Sequence, residues 1–196
     1  MPIWPMFIAA MLASLSAFAE EDDSEACQAL KNAEERVKCL SASALLSPLQ
    51  TPVAAEAGAG LWKMRTAPDP ESGEAVEFAS LRAEQGRNRW NSPPWLTVRC
   101  KANKTELYIT WGDNLPEKAV TTYALGSSVK SSTWKRAADR TAAFYPTSPL
   151  PVLKQLDGMS NLSVTVDSVE ATPINAIFLT SGAEMALSNV RKACGW

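Results

Sequence analysis

The sequence predicts a mainly β domain, an antiparallel β-sandwich or partly open barrel closed by a C-terminal helix and preceded by a short disulfide-linked helical hairpin. Three observations predict it. From Leu61 onward, short runs alternate apolar and polar residues between Gly, Pro, Asn and Ser turn signals. Residues 24–40 (SEACQALKNAEERVKCL) are rich in Ala, Glu, Lys and Leu and hold no Pro or Gly, the composition of a helix. Four cysteines fall two by two, Cys27 and Cys39 in that helical stretch and Cys100 and Cys194 in the β region.

Taken from the N-terminus, residues 1–19 read as a signal peptide cleaved after Ala19. They carry no acidic or basic side chain, a short apolar run (Phe7, Ile8, Met11, Leu12, Leu15) and the small-x-small ending Ala17-Phe18-Ala19. A spanning helix needs about 20 apolar residues. The run is marginal by that measure, and the expectation is export with no stable membrane span after processing. The acidic residues Glu20, Glu21, Asp22 and Asp23 follow as a solvated tail.

Four cysteines allow three pairings. Their placement favours Cys27–Cys39 and Cys100–Cys194, and an oxidising compartment would form both. The first bridge constrains the helix. Twelve residues of continuous helix would hold the two α-carbons about 18 Å apart, whereas a disulfide needs less than about 7 Å. Either those cysteines pair elsewhere or the helix breaks; the expectation is a break into a hairpin near Lys31-Asn32, giving a unit over residues 20–43. Residues 44–60, low in charge and rich in Ala, Pro and Gly, read as a linker, and residues 61–196 as the β domain.

Within that domain a first strand is expected at 61–64, then a turn at 69–73 with Pro70 and Gly73 placed as turns require. A half-buried strand follows at 76–81 and a polar loop at 84–94. Residues 96–100 and 106–111 flank a hairpin turn, as do 119–125 and 129–135. A short strand is expected at 141–145 and a helix at 150–156 capped by Ser148 with Pro149 first in the helix. Strands at 162–166 and 176–179 precede a terminal helix at 183–192 opened by Ser181.

The chain holds no histidine, which removes Ser–His and Cys–His catalysis and the His-containing zinc sites. No Gly-x-Ser-x-Gly, phosphate-binding loop, dinucleotide fingerprint or Cys-x-x-Cys occurs. The expectation is a protein without catalytic, metal or cofactor residues. A formal net charge of −2 disfavours nucleic acid as a partner. The basic set Lys130, Lys135, Arg136 and Arg140 reads as the wet side of a hairpin rather than a phospholipid contact. Tryptophans mark a better candidate. Trp111 and Trp134 fall at strand positions and are expected in the core, and Trp196 is expected on the Cys100–Cys194 bridge. Trp90 lies in the polar loop beside Arg87 and Arg89, where it could anchor a partner protein or stack on a sugar of peptidoglycan.

The order Cys27…Cys39, Leu96-x-Val98-Arg99-Cys100, Thr105-Glu106-Leu107-Tyr108-Ile109-x-Trp111, Thr121-x-Tyr123, Trp134, Ala143-Phe144, Leu153-x-x-Leu156, Phe178 and Cys194-Gly195-Trp196 resembles the VasI/TagO family. Those are exported accessory proteins associated with type VI secretion systems. Where the family usually carries a basic and an acidic residue after the middle-strand tyrosine, Tyr123 is followed here by Ala124, Leu125 and Gly126. The resemblance implies a periplasmic location, a secretion-system or envelope protein as partner, and no catalytic residue.

Overall fold

The computed structural model describes residues 23–46, 58–170 and 172–196. The signal-peptide reading, and the linker reading over residues 47–57, lie outside them. Two helices come first, α1 (Asp23–Gln28) and α2 (Ala33–Leu46). The chain breaks between them where the bridge demanded it. Asn32 Oδ1 accepts the backbone N–H groups of Glu34 at 2.9 Å and Glu35 at 3.4 Å, an N-cap that starts α2 afresh. The Cys27–Cys39 disulfide closes the hairpin with its α-carbons 5.4 Å apart. Helix α2 runs on to Leu46, three residues into the segment read as linker.

Nine antiparallel strands follow: β1 (Lys63–Pro68), β2 (Ala75–Arg82), β3 (Trp95–Lys101), β4 (Lys104–Thr110), β5 (Lys118–Leu125), β6 (Ser128–Arg136), β7 (Ala142–Phe144), β8 (Asn161–Val166) and β9 (Ile174–Leu179). Helix α3 (Leu150–Leu156) lies between β7 and β8, and α4 (Ala183–Ala186) and α5 (Ser188–Cys194) end the domain. All nine strands belong to one sheet in the order β1-β2-β3-β4-β7-β6-β5-β8-β9, so the partly open barrel holds rather than the sandwich. The sheet curls until its far side meets the continuation of β2. There Glu84 N–H donates to the Ile177 carbonyl at 2.8 Å, and Ile177 N–H donates to the Gln85 carbonyl at 3.1 Å. β1 stays outside this seam as a flap along β2.

Period-2 alternation explains which residues fill the barrel. Ala79 and Leu81 of β2, Leu96 and Val98 of β3, Leu107 and Ile109 of β4, Val164 of β8 and Phe178 of β9 all point inward and are buried. Trp111 and Trp134 join them, as their strand positions predicted. Leu153 and Leu156 of α3 and Val190 of α5 pack into the same core. The Cys100–Cys194 bridge fastens α5 to β3 across 94 residues of sequence. Trp196 packs against this core, with the Arg191 guanidinium 5.0 Å from its ring centroid.

Helix α2 sits on the opposite, outer face, over β8 and β5. Its Val37 and Leu40 are buried, the latter clustered with Cys27 and Ile177. Arg36, 5% exposed, is buried beside them. It donates to the Leu30 carbonyl and, at 3.5 Å, to Thr165 Oγ1, whose own hydroxyl donates to Asn175 at 2.7 Å.

Some boundaries differ from expectation for local reasons. The first strand starts at Lys63, because Trp62 turns inward, 5% exposed, with its indole N–H on the Thr180 carbonyl. Helix α3 is capped by backbone: Val152 and Leu153 both donate to the Pro149 carbonyl at 3.0 Å, and Ser148 plays no part. The terminal helix divides at Leu187 into α4 and α5, and its N-cap is Gly182 at φ 85° rather than Ser181.

Candidate functional site

The loop between β2 and β3 presents Trp90 on a braced turn. Asn88, 6% exposed, is the brace. Its Oδ1 accepts N–H groups from Trp90 at 3.0 Å and Ser92 at 2.9 Å, and its Nδ2 donates to the carbonyls of Trp111 and Gly112, both at 3.0 Å. Every hydrogen-bonding position of that amide is used. Gly112 makes the approach feasible, since a Cβ there would stand 2.8 Å from Asn88 Nδ2. Asn91, at φ 57°, completes the turn by donating to the Asn88 carbonyl.

Trp90 itself is 66% exposed. Arg89 lies with its guanidinium 4.8 Å from the indole centroid. Its Nε meets Asp113 Oδ1 at 3.0 Å and its Nη1 meets Glu170 Oε1 at 2.8 Å. The Asp113 side chain is only 3% exposed, which makes that pair the better shielded of the two. The ring is thus held out to solvent by a fixed cation–π contact. Arg87 does not join. Its Nη1 donates back to the Gly86 carbonyl at 2.7 Å and the Glu84 carbonyl at 3.4 Å. Sequence reasoning found Trp90 and Arg89 but missed Asp113 and Glu170, which lie far along the chain.

The other sequence candidates separate. Lys130 and Arg136 share the strand side of Trp134 while Lys135 faces the other way, so the basic set forms no single patch. Arg136 donates to the Leu115 carbonyl at 3.0 Å.

A second surface had no signal in the linear sequence. The outer face of the β1-β2-β3-β4-β7 end places Arg65, Phe78, Arg99 and Glu106 in one cross-strand row and Lys63, Ser80, Thr97, Tyr108 and Phe144 in the next. Arg99 pairs with Glu106 at 2.7 Å and sits 5.4 Å from the Tyr108 centroid, while Tyr108 stacks on Phe144 at 4.7 Å. At its tip Lys101 Nζ meets Asp69 Oδ2 at 2.7 Å. That contact and a backbone N–H from Glu71 hold the Asp69 carboxyl below the usual carboxylate range, and the Lys101 ammonium is correspondingly raised. Inside the barrel, burial pushes the Tyr123 hydroxyl well above the ordinary tyrosine range, reinforced by its hydrogen bond to Tyr145 at 3.1 Å.

No group of three or more Cys, Asp or Glu side chains converges as a metal site among the described residues, and no helix there is long and apolar enough to cross a membrane. All four cysteines are in disulfides, the chemistry of an exported protein that matures in an oxidising compartment. Fold and bridges together define a disulfide-stapled, curled antiparallel-sheet domain with a helical hairpin docked on its outside. No protein-family model and no curated protein matches the sequence. Among solved structures, the chain is similar to invasion associated protein B from Bartonella henselae. The identity is 15% and the TM-score 0.50, over 68% of this chain and 92% of that one. The likeness speaks to the fold alone.

Proposed function

We propose that the protein is a periplasmic accessory factor of a bacterial type VI secretion system, acting through contacts with envelope or secretion proteins and not by catalysis. The observation that carries a contact role is Trp90, two-thirds exposed, with its backbone N–H held by Asn88 and its ring against the Arg89 guanidinium. A large aromatic that is already ordered loses little conformational entropy on binding, which is why such residues anchor interfaces. The ordered residue set that resembles the VasI/TagO family supports the secretion assignment, and the two disulfides support the compartment. With no histidine and no free thiol, the common nucleophile–base pairs are missing as well.

The test is deletion of the gene under secretion-active conditions, scoring effector delivery and sheath assembly. Delivery should fall, recover with the wild-type gene and recover incompletely with Trp90→Ala. Unchanged delivery in the deletion strain would defeat the reading. The exposed indole also favours a second reading, a module for cell-wall glycan. Retention of the wild-type protein on purified peptidoglycan, lost with Trp90→Ala, would favour it; no retention of wild type excludes it.

A further inference from the structure

β1 is the terminal strand of the sheet, and among the described residues it pairs only with β2. Its residues are exposed from end to end apart from half-buried Ala67. A strand edge of this kind carries a row of unpaired N–H and C=O groups.

The two faces of that edge differ in chemistry. On the outer face stand Lys63 and Arg65, the first with its ammonium 5.4 Å from the Trp95 ring centroid and the second with its guanidinium 4.0 Å from the Phe78 centroid. Neither has a carboxylate partner among the described residues. The cations of the adjoining hairpin do: Arg99 and Lys104 pair with Glu106, and Lys101 with Asp69 and Glu71. Among the described residues, positive charge without a carboxylate partner therefore stands on the strand whose outer backbone edge they leave unpaired. A shallow groove of about 360 Å³, lined by Lys63, Arg65, Ser80, Trp95, Thr97 and Thr110, lies across this face. On the opposite face of the strand Met64 is 44% exposed, and Leu61, just before it, is 54% exposed.

We propose that the β1 edge captures an extended segment of a partner protein, alternating acidic and apolar side chains, as a tenth strand of the sheet. Main-chain hydrogen bonds would supply affinity. Acidic side chains facing Lys63 and Arg65, and apolar ones beside Met64, would supply selection. The charges also choose between occupants. A second copy pairing through its own β1 would set cations against cations, which destabilises a strand pair. Lys63, Arg65 and the closing Pro68 deter indiscriminate edge pairing in the same way, so the edge discriminates. This assignment rests on the reading of the protein as one that works by protein contacts, and names the chemistry of the partner.

The experiment uses the full oxidised chain and a fluorescein-labelled peptide of about eight residues alternating Glu and Val, a usual strand length. Lys–Val and centrally Pro-substituted peptides serve as controls. Anisotropy should show the Glu–Val peptide binding about tenfold tighter than either control, and about tenfold more weakly to Lys63→Glu/Arg65→Glu. Lys130→Glu/Lys135→Glu should bind as wild type does. Amide exchange in the wild-type protein should slow at residues 63–68 on binding. Equal binding of the Lys–Val peptide, protection confined to other strands, or a dimer joined through β1 would overturn the proposal. In cells, a Lys63→Glu/Arg65→Glu gene that fully restores delivery to the deletion strain overturns this site and leaves the secretion role standing. A deletion strain without phenotype defeats the secretion role and leaves the peptide result to decide the edge.

Discussion

Opening the two disulfides separately should cost unequal amounts of stability. In the chain-entropy treatment a cross-link removes denatured-state freedom in proportion to the logarithm of the loop it closes. The Cys27–Cys39 loop spans 12 residues and gives about 2.8 kcal/mol, and the Cys100–Cys194 loop spans 94 and gives about 4.7 kcal/mol. The constant cancels in the comparison, so the body bridge should be worth about 1.8 kcal/mol more. Both pairs have a buried member, Cys100 at 5% exposed and Cys27 at 1%, so burial does not separate them and the loop term decides the comparison. Alanine at both positions of each pair avoids burying a new hydroxyl. Urea unfolding followed by tryptophan fluorescence, with Trp111 and Trp134 as buried reporters, gives the two stability losses. If Cys27→Ala/Cys39→Ala costs as much as Cys100→Ala/Cys194→Ala, the loop argument fails for this protein.

Three further outcomes are expected. Asp69 ionises below the ordinary value of 3.8, so its contribution is complete above that pH and is lost as the pH falls through the folded-state value. The stability gap between wild type and Asp69→Asn should accordingly close in acid, and a gap constant with pH would show that the Lys101 pairing is not its source. Tyr123 ionises above the ordinary value of 10.0, so the unfolded chain releases that proton first and stability falls as pH rises past 10.0. Tyr123→Phe should lessen this alkaline decline, and an unaltered slope in urea titrations would contradict the assignment. At the seam, a Cβ on Gly86 would stand 1.9 Å from the Asn175 carbonyl oxygen, with φ at +92°. Gly86→Ala should therefore lose more than about 1 kcal/mol and speed amide exchange at Ile177, and a wild-type thermal midpoint would mean that the seam yields freely.

Much of this architecture could be read from local chemistry. Alternation marked the strands because inward and outward positions differ in polarity along each one. The two-residue turn at Ala102 and Asn103, both at positive φ, joins the hairpin expected between Cys100 and Glu106. A break between Cys27 and Cys39 followed from the reach of a disulfide once those two were paired. What escaped was everything fixed by strand order. β7 inserts between β4 and β6, and β5 pairs with β8 as well as with its hairpin partner β6; the β4–β7 and β5–β8 pairings are ones that no short-range pattern encodes. The barrel and the sandwich share one alternation and differ only in whether the sheet returns to β2. For the same reason Trp90 was visible as a tryptophan in a polar loop, while Asp113 and Glu170, which fix its neighbour Arg89, were not. The open edge of β1 was hidden too, since a strand becomes an edge only through its neighbours.

The connectivity of the bridges carries a consequence in time. A chain threaded N-terminus first into an oxidising compartment presents Cys27 and Cys39 before Cys100 enters, and for that interval each is the other's only intramolecular partner. Cys100 then waits until the whole barrel has been made before Cys194 arrives. Pairing each thiol with the next one to appear reproduces the native pattern. The correct cross-links are thus the ones that order of arrival favours, and oxidation needs little reshuffling to reach them.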